Sequence, residues 1–543
     1  MLSTTRLAAS ILFAFAAASP QAQALEAQGG APAAAAPTPV PAPAFDLGTD
    51  VAGVLKAFDV PGIAIAIVKD GKVLVAQGFG LRRLGRPEPV DARTLFEVAS
   101  NSKGFTAAAL AMLVDEGKLA WDDPVTKHLP GFQMYDAYAT NAMTVRDLLT
   151  HRSGLGLGAG DLLWWPTTSF STDEIIEKLR YIRPATSFRN NYAYDNLLYI
   201  VAGKIIAEKA GKPWGAAIRE RILAPLGMTG TTTSLDENAG NPNQASAHSK
   251  IKDKIGAVKS MPVPNAVGAV GINTNAEDIA KWMTVLLDGG KIGAAGARLF
   301  SEARGGEMWS AYTPMKIAEA KPGLAAIKPN FNAYGLGFNL RDYKGMKLVQ
   351  HGGALQGFFS QVVMVPEAKL GVAILTNAES GGAMAALQWR ILDHYLGIAP
   401  SDWVGLIGKN ERDRHAEDLK KQGGAAALRA AKSAPSLALD AYDGDYQDPW
   451  YGTVSIAREG AQHVLRFSRT PDLSGVLEHW QHDTFIVRWK ERNFNADAYV
   501  SFALNPDGSI ERMKMAPVSS ETDFSYDFAD LAFTPVKANK AKQ

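Results

Sequence analysis

The sequence predicts an α+β domain followed by a small all-β barrel. Three observations carry this prediction. A β-hairpin signal stands near the start of the folded region, and a strand pair followed by a helix stands near its end, so the two ends meet in one antiparallel sheet. Between them apolar residues recur at helical spacing, which places helices against that sheet. Beyond residue 436 the pattern changes to short alternating stretches, rich in aromatic residues and broken by Gly or Asp turns.

Taken in order, the chain opens with Arg6, the apolar run Leu7 to Ala18 and the small-residue ending Ala22-Gln23-Ala24. Together they predict a secretory signal over 1–24, hence an exported protein, periplasmic or secreted, whose mature chain begins at Leu25. The apolar run is much shorter than the roughly 20 residues that cross a bilayer, and no later segment reaches that length, so no transmembrane anchor is expected. Residues 25–45 are dominated by Ala, Pro, Gly and Gln, and Pro37, Pro39, Pro41 and Pro43 make them an extended linker.

The first folded domain is expected over 46–400. Gly62 to Lys69, rich in Ile and Val, turns at Asp70-Gly71 and returns through Lys72 to Ala76 as a hairpin. From Ser100 to Glu116 the apolar residues Phe105, Ala108, Ala109, Met112 and Leu113 keep helical spacing, and Gly117 stands where a C-terminal cap belongs. This predicts an amphipathic helix that begins at Ser100. Gln361 to Val365 and Gly371 to Leu375 form the second strand pair, ahead of a helix from Gly382 to Leu396. Residues 401–435, polar and then Ala- and Lys-rich, read as a helical connector. The barrel is expected over 436–538, built around Tyr442, Tyr446, Trp450, Tyr451, Trp480, Phe485 and Trp489.

Charge is close to balance, with 56 Lys+Arg against 55 Asp+Glu; loss of 1–24 removes Arg6 alone and leaves 55 against 55. Such a balance argues against nucleic-acid or anionic-membrane partners and leaves a small molecule or peptide as the expected substrate. The absence of cysteine excludes disulfides, thiol catalysis and cysteine metal sites. No Gly-x-Ser-x-Gly elbow and no phosphate-cradling loop after a strand is present, so neither an α/β-hydrolase nucleophile nor a nucleotide cofactor is expected. His479 and His482 lack further ligands at sensible spacing and read as strand residues beside Trp480, so no metal is expected.

The chemistry-bearing segment is Phe96-Glu97-Val98-Ala99-Ser100-Asn101-Ser102-Lys103. Serine and lysine three residues apart at a helix start lie on one face within hydrogen-bond reach, and a lysine kept neutral there can take the serine proton. Free N–H groups at the helix end favour an adjacent oxyanion and depress the pKa of a neighbouring ammonium. A chain of this length holds roughly one or two Ser-x-x-Lys matches by chance, so the pair gains meaning from its company. Downstream stand Tyr194-Asp195-Asn196 and, just before the second strand pair, His351-Gly352-Gly353-Ala354.

These three boxes in this order resemble the serine β-lactamase and penicillin-binding-protein superfamily, in its class C β-lactamase-related branch of esterases, D-aminopeptidases and carboxypeptidases. Leu148-Leu149-Thr150-His151-Arg152-Ser153-Gly154-Leu155, Tyr334-Gly335-Leu336-Gly337-Phe338 and Gly268 to Trp282 with Asp278 add to the resemblance, which covers about 50–397. It implies the β-lactamase/transpeptidase-like fold, an antiparallel sheet flanked by helices plus an all-helical lobe. It also implies Ser100 as nucleophile, Lys103 and Tyr194 as the general acid/base pair, and Asn196 as a positioner of the substrate amide. The backbone N–H groups of Ser100 and Ala354, the latter beside Gly353, would form the oxyanion hole. A phenol with an unperturbed pKa of about 10 works as a base only if Lys103 stabilises its anion.

His351 stands where the family's best-known third box carries lysine, and an imidazole with an unperturbed pKa of about 6.5 carries little charge at neutral pH. That variant resembles the D-aminopeptidases and related peptidases of the branch. The C-terminal module resembles the lipocalin-like barrel often fused to these hydrolases, through Tyr442-Asp443-Gly444-Asp445-Tyr446, Tyr451-Gly452 and Leu477-Glu478-His479-Trp480. The resemblance implies a barrel that packs at the active-site entrance.

The expected function is therefore an exported serine hydrolase, cofactor-free, that cleaves small peptides, including D-configured ones, through an acyl-enzyme on Ser100. A class C-like β-lactamase and a small-ester esterase are the close alternatives. A non-catalytic peptidoglycan- or peptide-binding receptor is the alternative from another class, and the intact Ser100, Lys103 and Tyr194 set argues against it. His151 reads as a structural hydrogen-bonding residue. The Trp164-Trp165-Pro166 cluster reads equally as a hydrophobic lip over the site or as loop packing.

Overall fold

The computed structural model of the protein describes residues 45–536 apart from 294, 295, 428, 430 and 431. The expected secretory signal 1–24, the linker 25–45 apart from Phe45, and residues 537 and 538 of the expected barrel lie outside the described residues.

The two ends of the first domain meet as the strand signals require. Gly62–Lys69 pairs on one side with Lys72–Gly80 and on the other with Leu370–Thr376, antiparallel in both cases. The sheet continues through Phe358–Val365, Met346–Leu355, Asn339–Tyr343 and Asn332–Tyr334 to Thr313–Pro314, eight strands in all. Gly62–Lys69 is buried on both faces up to Val68, which is why it reads as a continuous run of Ile, Ala and Val rather than an alternation. Strand periodicity still divides it. Ile63, Ile65 and Ile67 face a core shared with Val51, Val372, Leu387 and Ile407, whereas Ala64, Ala66 and Val68 face a larger one shared with Phe105, Met283 and Leu375.

On the first face lie the helices Leu47–Ala57, Gly381–Tyr395 and Trp403–Ala427. The second face carries the helical lobe, whose central members are Ser102–Asp115, Leu197–Ala210 and Ala276–Leu287. Ser102–Asp115 departs from the sequence expectation in two ways. A 3₁₀ turn over Ala99–Asn101 precedes it, so Ser100 stands one turn ahead of the α-helix. It is also buried all round from Ser102 to Ala111 rather than along one stripe, because it runs between the sheet and the rest of the lobe; its alanines make that crowding possible. Its end is as expected: Gly117 adopts φ +68°, Gly117 N–H bonds Val114 O and Lys118 N–H bonds Leu113 O, a Schellman cap.

The connector is the single helix Trp403–Ala427. After it, eight strands between Gly444 and Pro535 form an antiparallel barrel, nearly closed where Met513 bridges Phe533 beside the short strand Thr534–Pro535. Tyr446, Tyr451, Phe467, Trp489 and Phe528 pack its interior, and their polar ends are bonded inside: Tyr446 O–H to Tyr442 O (2.7 Å) and Trp489 Nε1–H to Ala496 O (2.7 Å). The barrel is fastened to the first domain. Arg469 donates to Ser169 O (2.9 Å) and Glu174 (3.0 Å) while stacking over Phe170. Asp418 of the connector helix accepts from Ser519 Oγ, Ser520 N and Ser520 Oγ at 2.6–2.7 Å, anchoring the segment that joins the last two barrel strands. Among the described residues no helix is long and apolar enough to cross a membrane.

The lobe depends on a close approach at Gly268, where a Cβ would stand 2.5 Å from Tyr199 O and 3.0 Å from Gly203 Cα. Gly268→Ala is expected to destabilise the fold by about 1–3 kcal/mol, read as a lower thermal midpoint. Gly53→Ala, in a helix position with nothing within 4 Å, is expected to leave or raise it.

Candidate active site

The site begins with a strained turn. Ala99 adopts φ +47°, a left-handed conformation that a non-glycine residue holds only when its surroundings impose it. Four hydrogen bonds do so. Val98 N–H bonds Ile272 O (3.1 Å), and Val98 O accepts from Ser360 Oγ (2.8 Å), which in turn accepts from Asn101 Nδ2 (2.8 Å). Ser102 Oγ–H closes the turn onto Ala99 O (2.6 Å). Ser100 sits at its centre, 8% exposed.

Ser360 stands opposite Gly353 in the sheet. A Cβ on Gly353 would lie 2.1 Å from Val98 O and 2.4 Å from Ser360 Oγ, so only glycine lets the turn and the strand approach. The strand Met346–Leu355 also outruns its neighbour, whose pairing ends at Asn339 opposite Gln350. One edge of His351–Leu355 is therefore without a strand partner among the described residues, and both Gly352 and Ala354 are exposed there.

Lys103 has no exposed surface. Its Nζ meets three acceptors: Ser100 Oγ (3.0 Å), Asn196 Oδ1 (2.7 Å) and Ala269 O (3.4 Å). Asn196 is free for this because Asp195 takes the capping duty of the helix Leu197–Ala210, accepting Leu198 N–H at 3.2 Å. Burial pushes the Lys103 ammonium down to about 7, against the opposing pull of Asp161 and Asp195. The cause is thus desolvation, where the sequence pointed to the helix end. Tyr194 places its ring 4.9 Å from Lys103 Nζ and its hydroxyl beside the Ser100 side chain; burial holds the phenol well above its ordinary pKa.

His351 lies 6.1 Å from Tyr194 between ring centroids, and both its nitrogens are engaged inside the protein. Nδ1 donates to Gly352 O (2.6 Å) and Nε2 accepts from Tyr334 O–H (2.8 Å). Burial, with Lys103 nearby, pushes it down to about 3, so the ring is neutral. The structure therefore gathers Ser100, Lys103, Tyr194 and Asn196 within direct contact and sets His351, Gly353 and Ala354 along the adjoining strand edge.

The other singled-out residues make no side-chain hydrogen bond to Ser100 or Lys103. His151, buried among the rings of Tyr192, Tyr194, Tyr199 and Tyr334, accepts Asp195 N–H on Nδ1 at 3.2 Å. Trp164 and Trp165 are both buried, which decides for packing over an exposed lip. His479 Nε2 contacts His482 O in the barrel.

Two features had no counterpart in the sequence reading. Asp161, fully buried, accepts from Asn196 Nδ2 (2.8 Å) and Trp164 Nε1 (2.8 Å). The barrel segment between its last two strands reaches the same place: Ser525 Oγ–H bonds Asp161 (2.8 Å) and Phe524 lies edge-on to Tyr194 at 6.0 Å. The available signal was the glycine run Gly154, Gly156, Gly158, Gly160 before Asp161. A Cβ on Gly158 would lie 2.6 Å from Phe524, and Gly160 N–H donates to Asp527 (2.7 Å), so the run is the seat of the barrel segment.

The sequence matches the β-lactamase family over residues 50–396 and a domain of unknown function, DUF3471, over 428–535. It is 29% identical over 496 residues to the unguisins hydrolase ungD' of Aspergillus campestris, covering 86% of this chain and 88% of that one. Protein flp of Staphylococcus aureus is 26% identical over 342 residues, covering 59% and 60%. The octameric penicillin-binding protein homologue from Pyrococcus abyssi shares the fold with a TM-score of 0.56 at 21% identity, over 90% of this chain and 100% of that chain. SurE does so with a TM-score of 0.53 at 19% identity, over 90% and 98%.

The close approach at Gly353 generates a test. Gly353→Ala is expected to slow reaction of Ser100 with a fluorophosphonate probe by about 100-fold, because it moves the strand edge away from the Ser100 turn. Circular dichroism of the folded variant should be unchanged.

Proposed function

The chain belongs to the β-lactamase family, and we propose that it is a serine hydrolase that cleaves small peptides or amino-acid amides through an acyl-enzyme on Ser100. One observation carries the proposal. Asn196 Oδ1 and Ala269 O engage two sides of Lys103 Nζ, so the lone pair of the neutral amine faces Ser100 Oγ. With its pKa near 7, Lys103 is the group that can be neutral at physiological pH; Tyr194 stays a protonated phenol.

The steps follow from that assignment. Ser100 gives its proton to Lys103 Nζ as Oγ bonds the substrate carbonyl carbon. The resulting oxyanion would be held by the N–H groups of Ser100 and Ala354. Collapse breaks the C–N bond; the leaving amine takes the Tyr194 proton, and the Lys103 ammonium reprotonates the phenolate. Water then attacks the ester carbonyl, giving its proton to Lys103; collapse breaks the bond to Ser100 Oγ, which takes the proton back from the Lys103 ammonium as the acid leaves.

The neutral, internally bonded His351 supports amide substrates without a carboxylate at that edge, since a fixed cation that would attract one is missing there. Family membership favours a β-lactam as the second reading.

Two measurements test these readings. Fluorophosphonate labelling, followed by intact mass, should give one adduct on wild type and none on Ser100→Ala; an unlabelled wild type would make the protein a binding module. Because Lys103 must be neutral, the labelling rate should rise about tenfold per pH unit below 7 and level off above it. Hydrolysis of a D-alanyl anilide should exceed that of a chromogenic cephalosporin, with Ser100→Ala as blank. A dominant cephalosporin rate would overturn the amide preference.

A further inference from the structure

The steps above leave unused a buried carboxyl that stands two residues beyond Lys103, past Asn196, in a continuous chain of hydrogen bonds. The chain runs Ser100 Oγ, Lys103 Nζ, Asn196, Asp161 and Ser525 Oγ, with links of 3.0, 2.7, 2.8 and 2.8 Å. We propose that Asp161 is a positioning residue that orients Asn196 and sets the charge of Lys103, and that the barrel domain holds it in that role through Ser525. The proposal rests on the reading of Lys103 as the base.

Three features argue for it. First, Asn196 has two ends, and only one arrangement suits Lys103. With Nδ2–H donating to Asp161, Oδ1 faces the amine; reversed, the amide would press N–H groups against an ammonium. Second, Asp161 is completed by donors from three separate parts of the chain: Trp164 Nε1 on Oδ1, and Asn196 Nδ2 and Ser525 Oγ on Oδ2. None of these donors carries a charge, so whenever the carboxyl is ionised its negative charge is not neutralised locally and acts on Lys103. Third, the approach of Ser525 is built in. The positive φ of Gly158 and Gly160 shapes the seat, Phe524 fills the space over Gly158, and Asp527 takes Gly160 N–H.

The groups facing Asp161 are few. Lys103 and Tyr194 lie on the serine side and Asp527 on the barrel side, while Asp195 faces Lys103 from the start of its own helix. Burial, with Asp530 beside it, pushes Asp527 up to about 9, so it is uncharged at neutral pH. Burial also raises Asp161, to about 7, while its three donors favour the ionised form. Each donor thus strengthens the carboxylate that keeps a proton on Lys103.

The test is the pH profile of fluorophosphonate labelling, which needs no substrate. Asp161→Asn keeps an acceptor for Asn196 and Ser525 but removes the charge, so Lys103 loses its proton more readily. The acid limb should move down by about one pH unit. Ser525→Ala weakens the carboxylate and should move the limb the same way by less, and Ser525→Thr should restore it. A profile for Asp161→Asn that superimposes on wild type, or a limb that moves upward, would overturn the proposal and leave Asp161 a packing residue. If Asp161→Asn does not fold, the Ser525→Ala and Ser525→Thr pair decides alone, an unmoved limb being the negative result. Wild type that never labels would overturn the reading of Ser100 as well; wild type that labels with unmoved variants overturns only the role of Asp161.

Discussion

A lysine without solvent contact is the constraint around which the domain is arranged. An ammonium taken out of water loses several kcal/mol of hydration unless acceptors replace it, and a neutral amine needs fewer of them. Lys103 is placed between these limits. Three oxygens meet its Nζ and two carboxylates lie within electrostatic reach, yet burial still lowers its pKa to about 7. The arrangement keeps the group near the point where gaining and losing a proton cost the same, which is what the proposed role of Lys103 as a base would need.

Meeting that constraint takes contributions from across the chain. Ala269 O comes from a segment that can pack there because Gly268 and Gly203 allow it. Asn196 is available because Asp195 caps the helix in its stead. Ser100 faces Lys103 because Ser360, Asn101 and Ser102 hold Ala99 in a conformation it would not otherwise adopt. Each of these is a small local device, and they converge on one amine.

The parts legible in the sequence were those that local chemistry writes down. Apolar strand runs and turn residues marked the hairpin at Asp70-Gly71 and the strand pair around Pro366, and both pair as read. Three short boxes located Ser100, Lys103, Tyr194 and Asn196 because each box is contiguous. Asp161 was illegible for the opposite reason. Its partners Asn196 and Ser525 lie 35 and 364 residues away, and nothing in a Gly-Asp-Leu-Leu stretch marks a buried carboxyl. The burial of the helix on every side from Ser102 to Ala111 was hidden too, since small residues such as Ala107 and Ala111 fit an exposed face as well as a crowded one.

The sheet has a consequence for how the protein comes into being. Gly62–Lys69, apolar on both faces, finds its second neighbour in Leu370–Thr376, about 300 residues further along. During synthesis the first hairpin waits, with an unpaired and strongly hydrophobic edge, until almost the whole domain has emerged. Whatever accompanies the nascent chain must shield that edge for the interval. The last strand to join is then also the one that seals it.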